Sequence, residues 1–275
     1  MLLNDATPLF VFGPPRSGTT FFTVAINRHS EVFVTNETRI MSFLHDLSRR
    51  MRQPGPLLPA HPLRASIVKA IATHSEALVR EVYRDCVDKT NLGAPTPEEQ
   101  KQYGRIRVWG DKNPGYCDGN AEEGCLTFIS TMFPRSRFIQ IIRDPRSSIG
   151  SYLQLKHVYN RDLDGCISMW LAHAAGAAEF INVIPKERAM TIKHEDLSSA
   201  RGAQIMLEVQ AFLHLQYEAR PAEFLKRELV KRTPYRSPVT PTEKLGTVAY
   251  GDFLSAKDIE LVEARTSPYM SLYNY

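Results

Sequence analysis

The chain has 275 residues, 43% of them apolar, which is enough to bury a sizeable α/β core and excludes a disordered chain. Its 34 basic and 30 acidic residues leave a formal charge of only +4, with no basic run of five or more, so bulk charge gives no reason to expect a nucleic-acid partner. Cys86, Cys117, Cys125 and Cys166 have no C-x-x-C spacing or paired rhythm, which argues against a zinc site or a disulfide framework and leaves reduced thiols and no metal as the expectation.

The N-terminal MLLNDATPLFVF lacks a charged leader region, and no segment approaches ~18 to 20 uninterrupted apolar residues, so membrane insertion is not expected and the chain reads as soluble and cytoplasmic. PLFVF at 8–12 is a short buried strand that stops at Gly13. After it, Gly13-x-x-x-x-Gly18-Thr19-Thr20 has the skeleton of a Walker A loop, whose backbone N–H groups and following helix N-terminus wrap a phosphate. Thr19 stands where an NTPase has lysine, and Arg16 is the only cation in the loop. A helix from Thr19 to Asn27 and a second strand at 31–35 (EVFVT) complete a β-loop-α-β unit.

A helical insertion follows over about 39–100, broken by RQPGPLLPAHP and closed by a loop at 91–104. Then come a strand RIRVW at 105–109, a helix near 121–132, a strand FIQII at 138–142, a helix opened by Asp144 and Pro145, a long helix near 163–182, and a strand AMTIK at 189–193. Strands separated by helices predict an α/β, P-loop-containing three-layer fold, a mostly parallel sheet flanked by helices, built as one domain over 1–275. Ligands of such sheets sit at the carboxyl ends of the strands. Gly13, Glu37, Asp111-Lys112-Asn113 and Arg143-Asp144 each follow a predicted strand, so all four fall on that edge. A ten-residue helix runs ~15 Å away and a five-residue strand returns ~17 Å, which brings Glu37 back level with Arg16.

These residues resemble the sulfotransferases that use 3′-phosphoadenosine 5′-phosphosulfate (PAPS). GPPRSGTTFF is similar to their 5′-phosphosulfate loop, and FIQIIRDPRSSIGSY to their 3′-phosphate motif. NETRI at 36–40 resembles the Glu-Thr-Arg segment of tyrosylprotein sulfotransferases, GDKNP at 110–114 their Lys-Asp-Pro segment, and KHEDL at 193–197 the Tyr-Glu-Asp-Leu of bacterial members. Arginine at 16, where cytosolic small-molecule sulfotransferases usually carry lysine, points to the tyrosylprotein and carbohydrate branches. The likeness is thin over the helical insertion, where acceptor recognition is expected.

The resemblance implies that the N–H groups of Ser17, Gly18, Thr19 and Thr20 and the two threonine hydroxyls hold the 5′-phosphate, with Arg16 near the bridging oxygen. Arg143 and Ser151 would hold the 3′-phosphate, and Thr233, Ser237, Lys244 and Gly246 would lie in a C-terminal cofactor-covering loop over about 232–252. Glu37 would be the general base and Lys112 the cation that assists the leaving group, the product being PAP. The acceptor would be any molecule with a free hydroxyl: a sugar, a lipid, a natural-product alcohol or a phenol. His29, His45 and His194 are rival bases, and Glu37–Arg39 or Lys112–Asp111 ion pairs are the purely structural alternatives. A P-loop kinase and a catalytically inactive nucleotide-binding module stay open as other functions; the kinase lacks the loop lysine and an evident Mg²⁺-binding acid.

Overall fold

The computed structural model describes residues 6–52, 62–91, 100–117, 124–230, 235–236, 244–245 and 250–275. In chain order the elements are β1 (Thr7–Phe12), α1 (Thr19–Ile26), β2 (Val32–Asn36), α2 (Ile40–Arg52), α3 (Pro62–Asn91), β3 (Val108–Lys112), α4 (Cys125–Met132) and β4 (Arg137–Ile142). They continue as α5 (Pro145–Gln154), α6 (Lys156–Tyr159), α7 (Leu163–Val183), β5 (Ala189–Lys193), α8 (His194–Leu197), α9 (Gly202–Phe212), α10 (Arg220–Val230), β6 (Tyr235–Arg236), β7 (Lys244–Leu245) and α11 (Ala256–Tyr273).

The strands β1 to β5 form one parallel sheet in the order β2-β3-β1-β4-β5. Alternation along β1 divides the core into two layers. Leu9 and Val11 pack with Phe22, Ala25 and Ile26 of α1 and with Met206 and Leu225 of α9 and α10. Phe10 and Phe12 face the opposite way, among Tyr83, Trp109, Phe138 and Phe180. A third apolar cluster joins α5, α7 and α11 around Tyr152, Trp170 and Val262. None of the described helices is long and apolar enough to cross a membrane.

The third strand sits three residues later than the sequence predicts. Gly110 and Asp111, which a strand at 105–109 leaves beyond its end, lie inside β3, and Lys112 is its last residue. Gly110 belongs there because its register partner Leu9 is so close that a Cβ would fall 1.6 Å from the Leu9 carbonyl oxygen. Residues 103–105 form a single 3-10 turn, and α3 runs on through Asn91, so the predicted 91–104 loop begins later.

Candidate active site

All five parallel strands end on one edge: Val11 and Asn36 are both register partners of Lys112, and Ile142 is a partner of Lys193. The loop after β1 turns at Gly13 (φ 146°) and Gly18 (φ 92°), and Arg16 between them also takes a positive φ of 63°. Substitution at either glycine meets an obstacle, the Ile141 carbonyl oxygen 2.0 Å from a Cβ on Gly13 and the His194 ring 2.2 Å from one on Gly18. Gly18 is the N-cap of α1 and supplies no side-chain cap, so the first-turn N–H groups remain for an anion. Ser17 is buried and its hydroxyl has no hydrogen-bond partner among the described residues, an orphaned donor inside the loop.

The second motif closes on this loop. Asp144 is the N-cap of α5, accepting from the Arg146 N–H at 2.8 Å with Pro145 at the first helical position, which points Arg143 and Ser151 the same way. Arg16 Nε donates to Ser151 Oγ (3.0 Å), Arg143 Nη1 donates to the Arg16 carbonyl (3.3 Å), and the buried Tyr152 hydroxyl donates to the Pro15 carbonyl (2.7 Å). Burial holds the Arg143 guanidinium below its usual range, opposed by Glu195 and reinforced by Arg16. Two cations thus share a poorly solvated site, the condition an anionic ligand relieves.

Glu37 and Lys112 meet as a pair. Lys112 Nζ donates to Glu37 Oε1 at 2.6 Å, with the lysine side chain 2% exposed and the carboxylate 40% exposed. Burial pushes the ammonium below its ordinary value, with Glu37 acting against that shift. The Lys112–Asp111 alternative fails on geometry: strand alternation sends the two side chains to opposite faces, and the ammonium bonds to Glu37 instead. Asp111, fully buried, accepts from Thr35 Oγ1 (2.6 Å), Tyr116 Oη (2.6 Å) and the Thr38 N–H (3.2 Å). Burial raises its pKa to about 6 against those three bonds and Lys112.

Comparison with known proteins shows the family. A profile described as "Sulfotransferase family" matches residues 8–219. The chain belongs to the sulfotransferase family. A curated protein-tyrosine sulfotransferase of Drosophila melanogaster is 24% identical over 200 residues, covering 70% of this chain, and the match spans only 36% of that relative. Among solved structures, the sulfotransferase domain from the curacin biosynthetic pathway superposes with a TM-score of 0.56 at 17% identity, covering 98% of each chain. A Mycobacterium avium sulfotransferase gives 0.52 at 15%, covering 98% of this chain and 77% of the other. A mouse sulfotransferase complexed with PAP gives 0.52 at 11%, covering 96% and 85%. These likenesses establish the P-loop-like sulfotransferase fold.

Within that fold, Arg16, Ser17, Gly18, Thr19, Thr20, Glu37, Lys112, Arg143 and Ser151 all gather at the carboxyl edge. Thr233, Ser237 and Gly246 lie outside the described residues; Lys244 falls in β7, whose backbone pairs antiparallel with β6. His29 sits at the opposite end of α1, buried and bonded to the Gln216 carbonyl. His45 packs against Phe128 of α4. Arg146 is held by Asp144 and Glu263 and covers the Tyr250 ring, so it is a structural tie between α5 and α11. Sequence reading put His194 in the KHEDL motif and weighed it as a rival base but gave no sign that its ring underlies Gly18, and it missed Tyr152 and the bonds of Asp111. Each depends on side-chain approach across the sheet edge, which no local spacing records.

Proposed function

We propose that the protein transfers a sulfuryl group from PAPS to a hydroxyl of an acceptor. The observation that carries this reading is the convergence of two desolvated cations, Arg143 and Lys112, with a Gly-rich loop holding an orphaned Ser17 hydroxyl, beside a carboxylate that Lys112 orients. That donor set suits a ligand with phosphate at two ends. PAPS would supply the activated sulfuryl group. The loop N–H groups of residues 17–20 with the hydroxyls of Thr19 and Thr20 would bind its 5′-phosphate, and Arg143 with Ser151 its 3′-phosphate.

The remaining residues act at the reacting end. Arg16 and Lys112 stabilise negative charge on the departing oxygen, an interaction that strengthens as the bond breaks. Glu37, half-exposed, accepts the proton of the attacking hydroxyl and is kept in place by Lys112. Residues of the 232–252 segment, Thr233, Ser237, Lys244 and Gly246 among them, would cover the donor and exclude water. The acceptor class is a sugar, lipid, natural-product alcohol or phenol.

Two measurements test the reading together: calorimetric titration with PAP and with ATP, and a screen of hydroxyl acceptors with ³⁵S-labelled PAPS. PAP is expected to bind at least about tenfold more tightly than ATP, which lacks the 3′-phosphate. Equal affinities, or no labelled product with any acceptor, would reject it.

A further inference from the structure

Glu37 and Arg39 both take left-handed backbone conformations, φ 57° and 60°, which residues with a Cβ rarely adopt. Something must hold the turn between β2 and α2 in that shape. The Glu37 N–H is bonded to the Lys112 carbonyl at 2.8 Å. On either side of it, the Thr35 hydroxyl and the Thr38 N–H are bonded to one carboxylate oxygen, Oδ1 of Asp111. The other oxygen accepts from Tyr116. The turn is thus pinned before and after Glu37 by a single buried side chain on the neighbouring strand, and the next residue of that strand, Lys112, grips the Glu37 carboxylate.

We infer that Asp111 is a positioning residue for Glu37, fixing the turn so that the carboxylate meets Lys112 and the incoming hydroxyl. Asp111 itself is buried and points to the opposite face of the strand from Lys112, so it touches neither donor nor acceptor. A carboxylate can accept from all three at once, whereas an amide has a single acceptor oxygen and would make either the Thr35 hydroxyl, which also lies 3.0 Å from the Gly110 carbonyl, or the Tyr116 hydroxyl turn and accept. An acidic residue inside a buried strand, one position from its end, is otherwise costly, and the three bonds explain its presence. The inference rests on the role proposed for Glu37.

The test uses Asp111→Asn, with Thr35→Val as a second variant that keeps the buried carboxylate and removes only one anchor. Both are expected to lower kcat for PAPS-dependent sulfation, Asp111→Asn by roughly 10- to 100-fold, while PAP affinity and acceptor KM stay within about threefold, because the phosphate contacts are on other strands. In the background of Glu37→Gln, adding Asp111→Asn should cause no further loss, as expected of a residue acting through Glu37. Unchanged kcat in both single variants, or an equal further loss in the double variant, overturns the inference. Full turnover by Glu37→Gln alone would instead overturn the base assignment, which keeps the two failures apart.

Discussion

Replacing Lys112 by methionine separates a catalytic cation from a structural ion pair. Methionine keeps most of the lysine stem that is packed at the end of β3 and removes the ammonium. Breaking a buried pair by deleting one partner usually costs ~3 to 5 kcal/mol, because the remaining charge is stranded. Here the remaining charge is Glu37, 40% exposed, so water can replace the lost partner. The direction of the Lys112 shift points the same way: burial outweighs Glu37 and disfavours the charged form, so the ammonium is not a net source of stability at neutral pH. Lys112→Met should therefore alter stability by no more than about 1 kcal/mol, a melting shift of roughly 2 to 4 °C in a chain of this size. Catalysis should suffer far more, by about 10² to 10³ in kcat, or ~2.7 to 4 kcal/mol of transition-state stabilisation. The assay pairs a thermal melt with initial rates of ³⁵S transfer from saturating PAPS. A melting temperature lowered by more than about 8 °C, or a kcat within tenfold of wild type, would refute the argument.

Other variants probe the remaining parts of the site. Glu37→Gln keeps the shape but cannot take a proton, and turnover should fall at least ~10² with PAP affinity within a few-fold; normal turnover would redirect the search for a base to His45. Arg143→Ala should weaken PAP binding by about one to two decades in calorimetry and 5′-AMP binding by less, since it removes the 3′-phosphate contact and, with it, the weaker bond to the Arg16 carbonyl. Burial, helped by Arg143, takes the His194 pKa from 6.5 down to about 3, so the unfolded chain binds the proton more readily. The associated stability is then fully present above pH 6.5 and is lost as pH falls toward 3, with about 2 kcal/mol gone between pH 7.5 and 5. Urea unfolding of wild type and His194→Asn at those two pH values should show that difference only in the wild type; equal pH slopes would remove His194 from the account.

The sheet and its functional edge were legible because they are written in local pattern. Apolar runs of strand length stop at chemistry-bearing residues, and the helix punctuation of Gly18-Thr19 and Asp144-Pro145 is local hydrogen-bond chemistry that the structure reproduces. The displaced third strand shows where that logic fails. RIRVW alternates like an edge strand, whereas VWGDK contains a glycine and two charges and resembles a turn. Tertiary partners decide for the latter: Leu9 demands the glycine, Asp111 finds three donors, and Lys112 finds Glu37. The same shift changes the Lys112 argument, since a residue expected to reach over the edge from a loop is in fact buried at the end of a strand.

That burial also explains why the cations are placed where they destabilise the free chain. Arg143 and Lys112 are both pushed toward their neutral forms by desolvation, and Arg16 adds to the effect on each. A site arranged this way recovers its electrostatic cost when a polyanion binds, and that recovered cost becomes part of the donor's affinity. At a hundred times its dissociation constant, any ligand specific for the folded state adds ~2.7 kcal/mol, whatever the origin of its affinity. The electrostatic origin shows in salt: PAP affinity should fall steeply with ionic strength up to about 0.15 M, and far less in Arg143→Ala, because the variant has lost one of the charges whose desolvation the ligand offsets. Salt dependence that is the same in wild type and variant would mean that Arg143 has no share in the salt-sensitive attraction, leaving it to Arg16 and Lys112, and that the arginine is there for the fold.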